Sequence, residues 1–214
     1  MGRENKKQSV AALHRDQIMK AAEALFSGKG FEQTTVDDIS KAADYSRRTV
    51  YAYFESKDDI LHHIIEKGLL ALKGEIENAV QNTDGFLLQY KAICAAMVKY
   101  QRDCPHSSES ITKASAASLN CADLPDTVKR ILALGTEINE RLCIFIENGK
   151  RIGIVREDVV PMMSVYIMWS SITSLISLAN TKGAYICNRF SVTENEFLTY
   201  GFRQIINSVL TDRI

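Results

Sequence analysis

Residues 46–53, with the sequence SRRTVYAY, crowd hydroxyl and guanidinium groups into one short stretch. In a helix of 3.6 residues per turn, Arg47 and Tyr51 would share one side, while Val50 and Phe54 would share another. An arginine fork matches the edge of guanine, and hydroxyl groups suit phosphate oxygens. The polar side would therefore fit the major groove of DNA, which admits one helix. An ordinary solvated helix face is the alternative interpretation.

The elements that position this stretch are short helices, predicted at residues 14–27, 36–43 and 47–53 from the spacing of apolar side chains. Thr35 precedes the second helix and Asp38 follows three residues later, which is the spacing of a capping box. Asp44 and Tyr45 form a predicted tight turn, and Ser46 is the predicted N-cap of the third helix. Three short helices with this turn predict a helix-turn-helix unit.

The remaining sequence predicts further helices and shows none of the alternation that is typical of strands. A long fourth helix is predicted to about residue 81, and others at about 84–103, 108–120, 125–149, 158–181 and 193–210. Three prolines in 214 residues favour such long helices. We therefore predict an all-α protein with an N-terminal arm and three-helix helix-turn-helix domain at residues 1–58. A larger helical domain is predicted at 59–214.

The net charge does not by itself indicate binding to a nucleic acid, because 26 basic residues balance 26 acidic ones. Five cysteines without a CxxC pair, and a start without an apolar signal core, favour a reduced cytoplasmic protein. The uncharged stretch 159–179 is interrupted by Pro161 and several serines, which fits an interface helix better than a membrane span. The sequence has no GxSxG, P-loop, HExxH or Rossmann motif, so we predict no enzyme, cofactor or metal site.

Residues 15–65 resemble the N-terminal domain of TetR-family transcriptional regulators. The resemblance is carried by a set of correctly spaced positions: Ile18, Ala21, Ala22, Leu25, Phe26, Gly30, Phe31, Thr34, Thr35, Val36, Ile39, Ala42, Ala43, Ser46, Thr49, Tyr51, Tyr53, Phe54, Ser56, Lys57, Asp58 and Leu61. It implies an all-helical protein of about nine helices that forms a homodimer. Such a protein would bind double-stranded operator DNA through residues 35–54, as a ligand-responsive regulator and most often a repressor, and would hold a small effector in its larger domain.

By position, the resemblance implies that Arg47 and Tyr51 read bases. It implies phosphate contacts by Thr35, Ser46, Thr49, Tyr53 and Lys57. A cation in the first turn of a helix is unfavourable by about 0.3–1 kcal/mol, and a nearby polyanion would reverse that sign, which independently favours the role of Lys57. Three positions depart from the family pattern: Asp44 replaces a glycine, Tyr45 a small apolar residue, and Arg48 another glycine. We expect Asp44 to tolerate left-handed backbone geometry, and Arg48 to add a DNA contact of its own.

Small side chains recur at helical spacing in the predicted penultimate helix. Together with the last helix they predict a four-helix dimer interface formed by Ser170, Ser174, Ser177, Gly201 and Ile205. Packing within a single chain is the alternative interpretation for these positions.

Apolar stripes on the middle helices provide candidates for a ligand pocket: Tyr90, Cys94, Met97, Ile138, Leu142, Tyr166 and Trp169. These helix faces carry little charge, so the expected effector is apolar or aromatic. For each residue, an ordinary place in the core is the alternative. A different class of function also stays open, in which a helical small-molecule-binding or adaptor protein uses the fold without binding an operator.

Overall fold

The computed structural model of the chain describes residues 2–104 and 124–211, and these residues form eight α-helices. The helices are α1 (Gly2–Lys29), α2 (Val36–Ala42), α3 (Arg47–Tyr51), α4 (Lys57–Asn82), α5 (Phe86–Asp103), α6 (Asp126–Arg151), α7 (Pro161–Phe190) and α8 (Glu194–Asn207). One isolated antiparallel bridge, between Val155 and Leu210, is the only extended pairing within the described ranges. The predicted all-α class is confirmed. The helix predicted at 108–120 lies outside the described residues.

Two predicted boundaries are wrong. Helix α1 begins at Gly2 rather than near residue 14, so the expected polar arm is helical. This stretch contains no proline and several strong helix formers, and helix propensity therefore extends the helix to its start. Helix α7 continues to Phe190 through a stretch that looked irregular in sequence. Its apolar spacing is maintained there, because Gly183 and Ile186 are both buried.

The chain divides into two compact units. The first contains residues up to 68 together with 104 and 124–131, and the second contains residues 69–103 and 132–211 of the described chain. Both α4 and α6 pass along the sequence from one unit into the other. The core of the first unit comes mainly from α1 to α4 and includes Ile18, Ala22, Phe26, Ile39, Val50, Phe54 and Ile60.

The second unit is built around α7, which packs along α8 and also contacts α5. Phe86 of α5 stacks flat on Phe145 of α6, with ring centroids 4.3 Å apart and planes 2° from parallel. The bridge between Val155 and Leu210 ties the segment after α6 to the segment after α8. Arg156 supports the same junction, because its Nη1 donates to the carbonyl of Ser208 at 2.9 Å.

Gly149 allows this aromatic stack to approach α6 closely. A Cβ added at Gly149 would lie 2.6 Å from Cε2 of Phe86 and 2.6 Å from Cγ2 of Val155. Both neighbours are buried, and Phe145 holds the ring of Phe86 in place. The position therefore requires a glycine for reasons of packing.

Gly149→Ala is expected to lower the free energy of unfolding by about 1–3 kcal/mol, because the added methyl overpacks a fixed ring. Gly135→Ala is the matched control in the same helix, where an added Cβ meets nothing within 4 Å. That substitution should raise the free energy of unfolding by up to about 1 kcal/mol through helix propensity. Urea denaturation of both variants measures the difference. Equal stabilities would contradict the close packing at Gly149.

Helix α7 is the one helix in the described ranges that is long and apolar enough to cross a membrane. Its buried side faces α5 and α8, while Ser170, Ser174 and Ser177 lie exposed on the opposite side. A row of exposed serines suits close packing against another protein surface better than hydrocarbon.

Candidate nucleic-acid interface

The turn between α2 and α3 sets the position of the short third helix. Asp44 adopts a left-handed backbone with φ of 58°, as expected from its tolerance of that region. The amide of Tyr45 donates to the carbonyl of Ser40 at 2.9 Å and closes the turn. Ser46 then caps α3, with its Oγ accepting from the amide of Thr49 at 3.1 Å. The cap by Ser46 therefore stabilises the N-terminal end of α3, which is only five residues long.

Helix α3 presents one apolar side and one polar side. Val50 and Phe54 are buried in the first unit, as their spacing predicted. Arg47 and Arg48 are exposed, and half of the surface of Tyr51 is exposed (50%). Two guanidinium forks and one phenol therefore face solvent from about one and a half turns of helix.

Arg47 is only loosely held. Its Nε lies 3.9 Å from Oδ1 of Asp37, whose main partner is Lys41 at 2.9 Å. The ammonium of Lys41 is the first cause that lowers the pKa of the Asp37 carboxyl, and Arg47 adds a smaller effect. Because the side chain of Arg47 is 61% exposed, its fork can turn toward a base edge without breaking a buried interaction.

The hydroxyl groups predicted to contact phosphate also cap helices. Thr35 forms the predicted capping box, donating from Oγ1 to Asp38 at 2.7 Å and accepting from the Asp38 amide at 3.2 Å. Lys29 donates to the same carboxylate at 2.6 Å. Lys29 first, and Thr35 second, hold the pKa of Asp38 well below its usual range. At α3, the hydroxyls of Ser46 and Thr49 lie 2.8 Å apart.

Helix α1 contacts the residues on either side of α3, through interactions that sequence analysis missed. Nδ1 of His14 lies 2.9 Å from the hydroxyl of Tyr53, and the two rings meet edge to face at 5.7 Å. The ring of Tyr45 lies 5.2 Å from that of His14, and its hydroxyl donates to Gln17. These partners are 39 and 28 residues apart, so no short-range pattern indicated them. The one indication in the sequence was Tyr45, which stands where the family pattern has a small apolar residue.

Lys57 is anchored rather than free. Its ammonium donates to the carbonyl of Phe31 at 2.7 Å and lies 4.1 Å from the centre of the Phe31 ring. The carbonyl dipole and the ring face offset the cost of a cation in the first turn of α4. Lys57 therefore fastens the start of α4 to the loop before α2, and a phosphate contact would have to share or replace that bond.

No group of three or more His, Cys, Asp or Glu side chains with metal-binding geometry occurs among residues 2–104 and 124–211. The exposed side of α3 and its neighbours offers arginines, hydroxyls and capped helix ends. That combination suits hydrogen bonding to a nucleic acid.

The helix-turn-helix segment matches known proteins in sequence. Residues 18–64 match the family model described as bacterial regulatory proteins, tetR family. The chain is 42% identical over 64 residues to the uncharacterized HTH-type transcriptional regulator YfiR of Bacillus subtilis, covering 28% of this chain and 31% of that protein. It is 36% identical over 52 residues to IcaR of Staphylococcus epidermidis, a negative transcriptional regulator of a biofilm operon, covering 24% and 28%. The chain thus spans less than a third of the length of either relative.

Solved structures match nearly the whole chain. The fatty acid degradation regulator FadR from Bacillus halodurans gives a TM-score of 0.69 at 16% identity, covering 90% of this chain and 94% of that one. A complex of SmeT with triclosan gives 0.65 at 17%, covering 94% and 93%. The superantigen PfiT gives 0.65 at 20%, covering 93% and 97%. At these identities the likeness concerns the fold alone.

Residues 18–64, which contain the helix-turn-helix, are therefore similar to the bacterial regulatory proteins of the tetR family. Over nearly its whole length the chain shares the all-helical fold of the solved structures.

Proposed function

We propose that the protein is a cytoplasmic, ligand-responsive repressor that binds a palindromic operator as a homodimer through residues 35–54. The observation that carries the proposal is the polar side of α3, where Arg47, Arg48 and Tyr51 face solvent on a short capped helix. Among residues 2–104 and 124–211, the only acidic partner of these two adjacent arginines is Asp37, at 3.9 Å from Arg47. Two such exposed guanidinium groups favour an anionic surface with acceptor groups.

The proposed contacts divide into base reading and positioning. Arg47 and Tyr51 read bases, and Arg48 adds a base or phosphate contact beside them. The phosphate contacts come from the ends of α2, α3 and α4: Thr35, Ser46, Thr49, Tyr53 and Lys57. Because several of these groups also cap a helix or anchor a loop, phosphate contacts there would fix the orientation of the unit on DNA.

The proposed dimer interface is the exposed side of α7. Met163, Ile167 and Tyr185 are 67%, 65% and 69% exposed, and they lie on the same side as the exposed serines Ser170, Ser174 and Ser177. An exposed apolar row on one helix supports burial against a second copy, with small side chains permitting close approach. A two-fold axis through this face would require a near-palindromic operator.

Gly201 and Ile205, the two positions predicted for the dimer interface on α8, are less available to a second copy than the serines of α7. A Cβ on Gly201 would overlap the methyl groups of Leu175 on α7, so this glycine serves packing within the chain. Ile205 is half-buried and can contribute only an edge to a dimer interface. The support for the dimer therefore comes chiefly from α7.

The proposed effector site is an apolar cavity of about 30 Å³ in the second unit. Tyr90, Met97, Leu142 and Trp169 are among the residues that line it. Cys94 and Ile138 are buried but do not line the cavity, and Tyr166 lies exposed on the outside of α7. Burial raises the pKa of Tyr90, and that of Cys94 to about 12, so both stay neutral near pH 7.

A neutral lining supports an apolar or aromatic effector, and SmeT, whose structure contains triclosan, is a neighbour in fold. The cavity holds about one water molecule, so a larger effector would have to displace side chains such as Met97. Coupling of about 1–3 kcal/mol between effector and operator would lower operator affinity roughly 5–150-fold.

The experiment is a gel shift of the purified protein on the DNA upstream of its own coding sequence, against a shuffled fragment of equal length and composition. We expect a discrete complex on the upstream fragment, followed by repression of a reporter that carries it. Repeating the gel shift with apolar and aromatic compounds identifies an effector. The alternative is a helical small-molecule-binding or adaptor protein that uses the fold without binding an operator. The similar fold of a protein described as superantigen PfiT shows that this fold is not limited to proteins named as regulators. Equal binding to both fragments, or none, would favour that alternative.

A further inference from the structure

A second, larger cavity opens at the surface of the second unit between α5 and α8. Its volume is about 570 Å³, which lies within the range of small-molecule sites, roughly 300–1,000 Å³. It is distinct from the inner apolar cavity, and Tyr90 is the one residue that lines both. The Tyr90 hydroxyl donates to the carbonyl of Phe202 at 2.9 Å, which fixes the ring as a wall between the two spaces.

The charge lining this groove is entirely positive. Lys91 comes from α5 and Arg203 from α8, while no acidic side chain contributes to the lining. Neither cation forms an ion pair with any residue in the described ranges. The guanidinium of Arg203 lies 5.6 Å from the centre of the Tyr200 ring, which orients it without neutralising it. Two such cations lining one cavity favour a ligand that carries an anionic group.

The rest of the groove is suited to an apolar body. Leu87 and Tyr90 of α5 face Ile206 of α8 and Leu210 across it. Leu87 is 41% exposed, so part of its side chain is open to a ligand in the groove. Thr199 and Asn207 add neutral hydrogen-bonding groups at the wall. An occupant would bury leucine surface and neutralise the cations at the same time.

We propose that the groove between α5 and α8 binds an anionic amphiphile, with a carboxylate or phosphate head held by Lys91 and Arg203 and an apolar chain laid along Leu87, Ile206 and Leu210. The proposal concerns the second unit alone. It requires no operator binding and would stand if the helix-turn-helix bound no DNA.

The test is isothermal titration calorimetry of the full chain with decanoate at low ionic strength, compared with decyl phosphate, inorganic phosphate and decanol. We expect decanoate or decyl phosphate to bind, and because their chains are equal in length, the tighter of the two identifies the head group. Decanol should bind at least roughly tenfold more weakly, because it lacks the charge, and inorganic phosphate likewise, because it lacks the chain. Added salt should weaken binding, since both cations are exposed.

Two substitutions locate the site. Lys91→Ala and Arg203→Ala should each weaken binding of the preferred amphiphile by roughly fivefold, the order expected of one solvent-exposed charged contact. Lys99→Ala is the matched control on the same helix, because Lys99 pairs with Glu75 at 2.7 Å and does not line the groove. It should bind as the unaltered protein does. Arg203→Lys, which keeps the charge, should restore most of the affinity lost in Arg203→Ala.

The single tryptophan distinguishes the two cavities. Trp169 lines the inner cavity and not the groove, so groove binding should leave its fluorescence nearly unchanged. The proposal is overturned by absence of binding, by equal affinities for decanoate and decanol, or by strong quenching of Trp169 with no effect of the Lys91 and Arg203 substitutions. That last outcome would assign the amphiphile to the inner cavity.

Discussion

Ser174→Arg is expected to convert the proposed dimer to monomers and to lower affinity for the proposed operator by at least about a hundredfold. Ser174 lies exposed on the same side of α7 as Met163, Ile167 and Tyr185. An arginine there would bring an unpaired cation from each copy into an apolar interface. An uncompensated buried charge costs several kcal/mol, and about 2.8 kcal/mol already corresponds to a hundredfold change. A monomer would also lose the second half-site of the operator.

Sedimentation velocity and an operator titration measure the two effects of Ser174→Arg. Asn180→Arg is the matched control, because Asn180 is also exposed on α7 but points about 120° away around the helix. The control should remain dimeric and keep its operator affinity. A Ser174→Arg protein that sediments as a dimer of unchanged stability would show that the interface lies elsewhere.

Arg47→Ala is expected to cost about 1–3 kcal/mol of specific binding, or roughly 5–150-fold, and to relax preference at one base pair in each half-site. The reason is that Arg47 is exposed, loosely held by Asp37, and free to form two hydrogen bonds to a guanine edge. Affinity for random DNA should change much less. Thermal unfolding should be unaltered, because Arg47 makes no buried interaction.

Lys57→Ala provides the comparison for Arg47→Ala. A phosphate contact carries no sequence information, so this variant should bind specific and random DNA more weakly by the same factor. The slope of the logarithm of the binding constant against the logarithm of the salt concentration should fall in magnitude by about one. It should also lower thermal stability, because Lys57 donates to the carbonyl of Phe31. Titrations of operator and random fragments at several salt concentrations separate the two patterns. Equal losses on both fragments for Arg47→Ala would remove its assignment as a base reader.

The sequence by itself determined the elements whose stabilising groups are close neighbours along the chain. Thr35 and Asp38 form the expected capping box, Ser46 caps α3, and Asp44 adopts left-handed geometry. Each of these interactions joins residues that are at most four positions apart, so their types and spacing are sufficient to specify them. Burial of Val50 and Phe54 followed in the same way from helical periodicity.

Helix ends were harder to predict where no breaker marks them. The start of α1 and the end of α7 extend beyond the predicted limits, because the flanking residues favour helix and their spacing is compatible with packing. Buried Ile186 continues the apolar side of α7 past Gly183. Whether the residues after 181 form helix or linker therefore depends on the tertiary contacts of that segment.

Only the tertiary structure decided which distant side chains meet. His14 contacts Tyr53, Tyr45 contacts Gln17, and Tyr90 bonds to the carbonyl of Phe202, 112 residues away. It also separated the predicted pocket residues, directing Tyr166 outward while Trp169 lines the inner cavity. Lys91 and Arg203 share a groove only because α5 and α8 fold beside each other. Local periodicity fixes which side of a helix is buried, but the packing of whole helices fixes which side chains become neighbours.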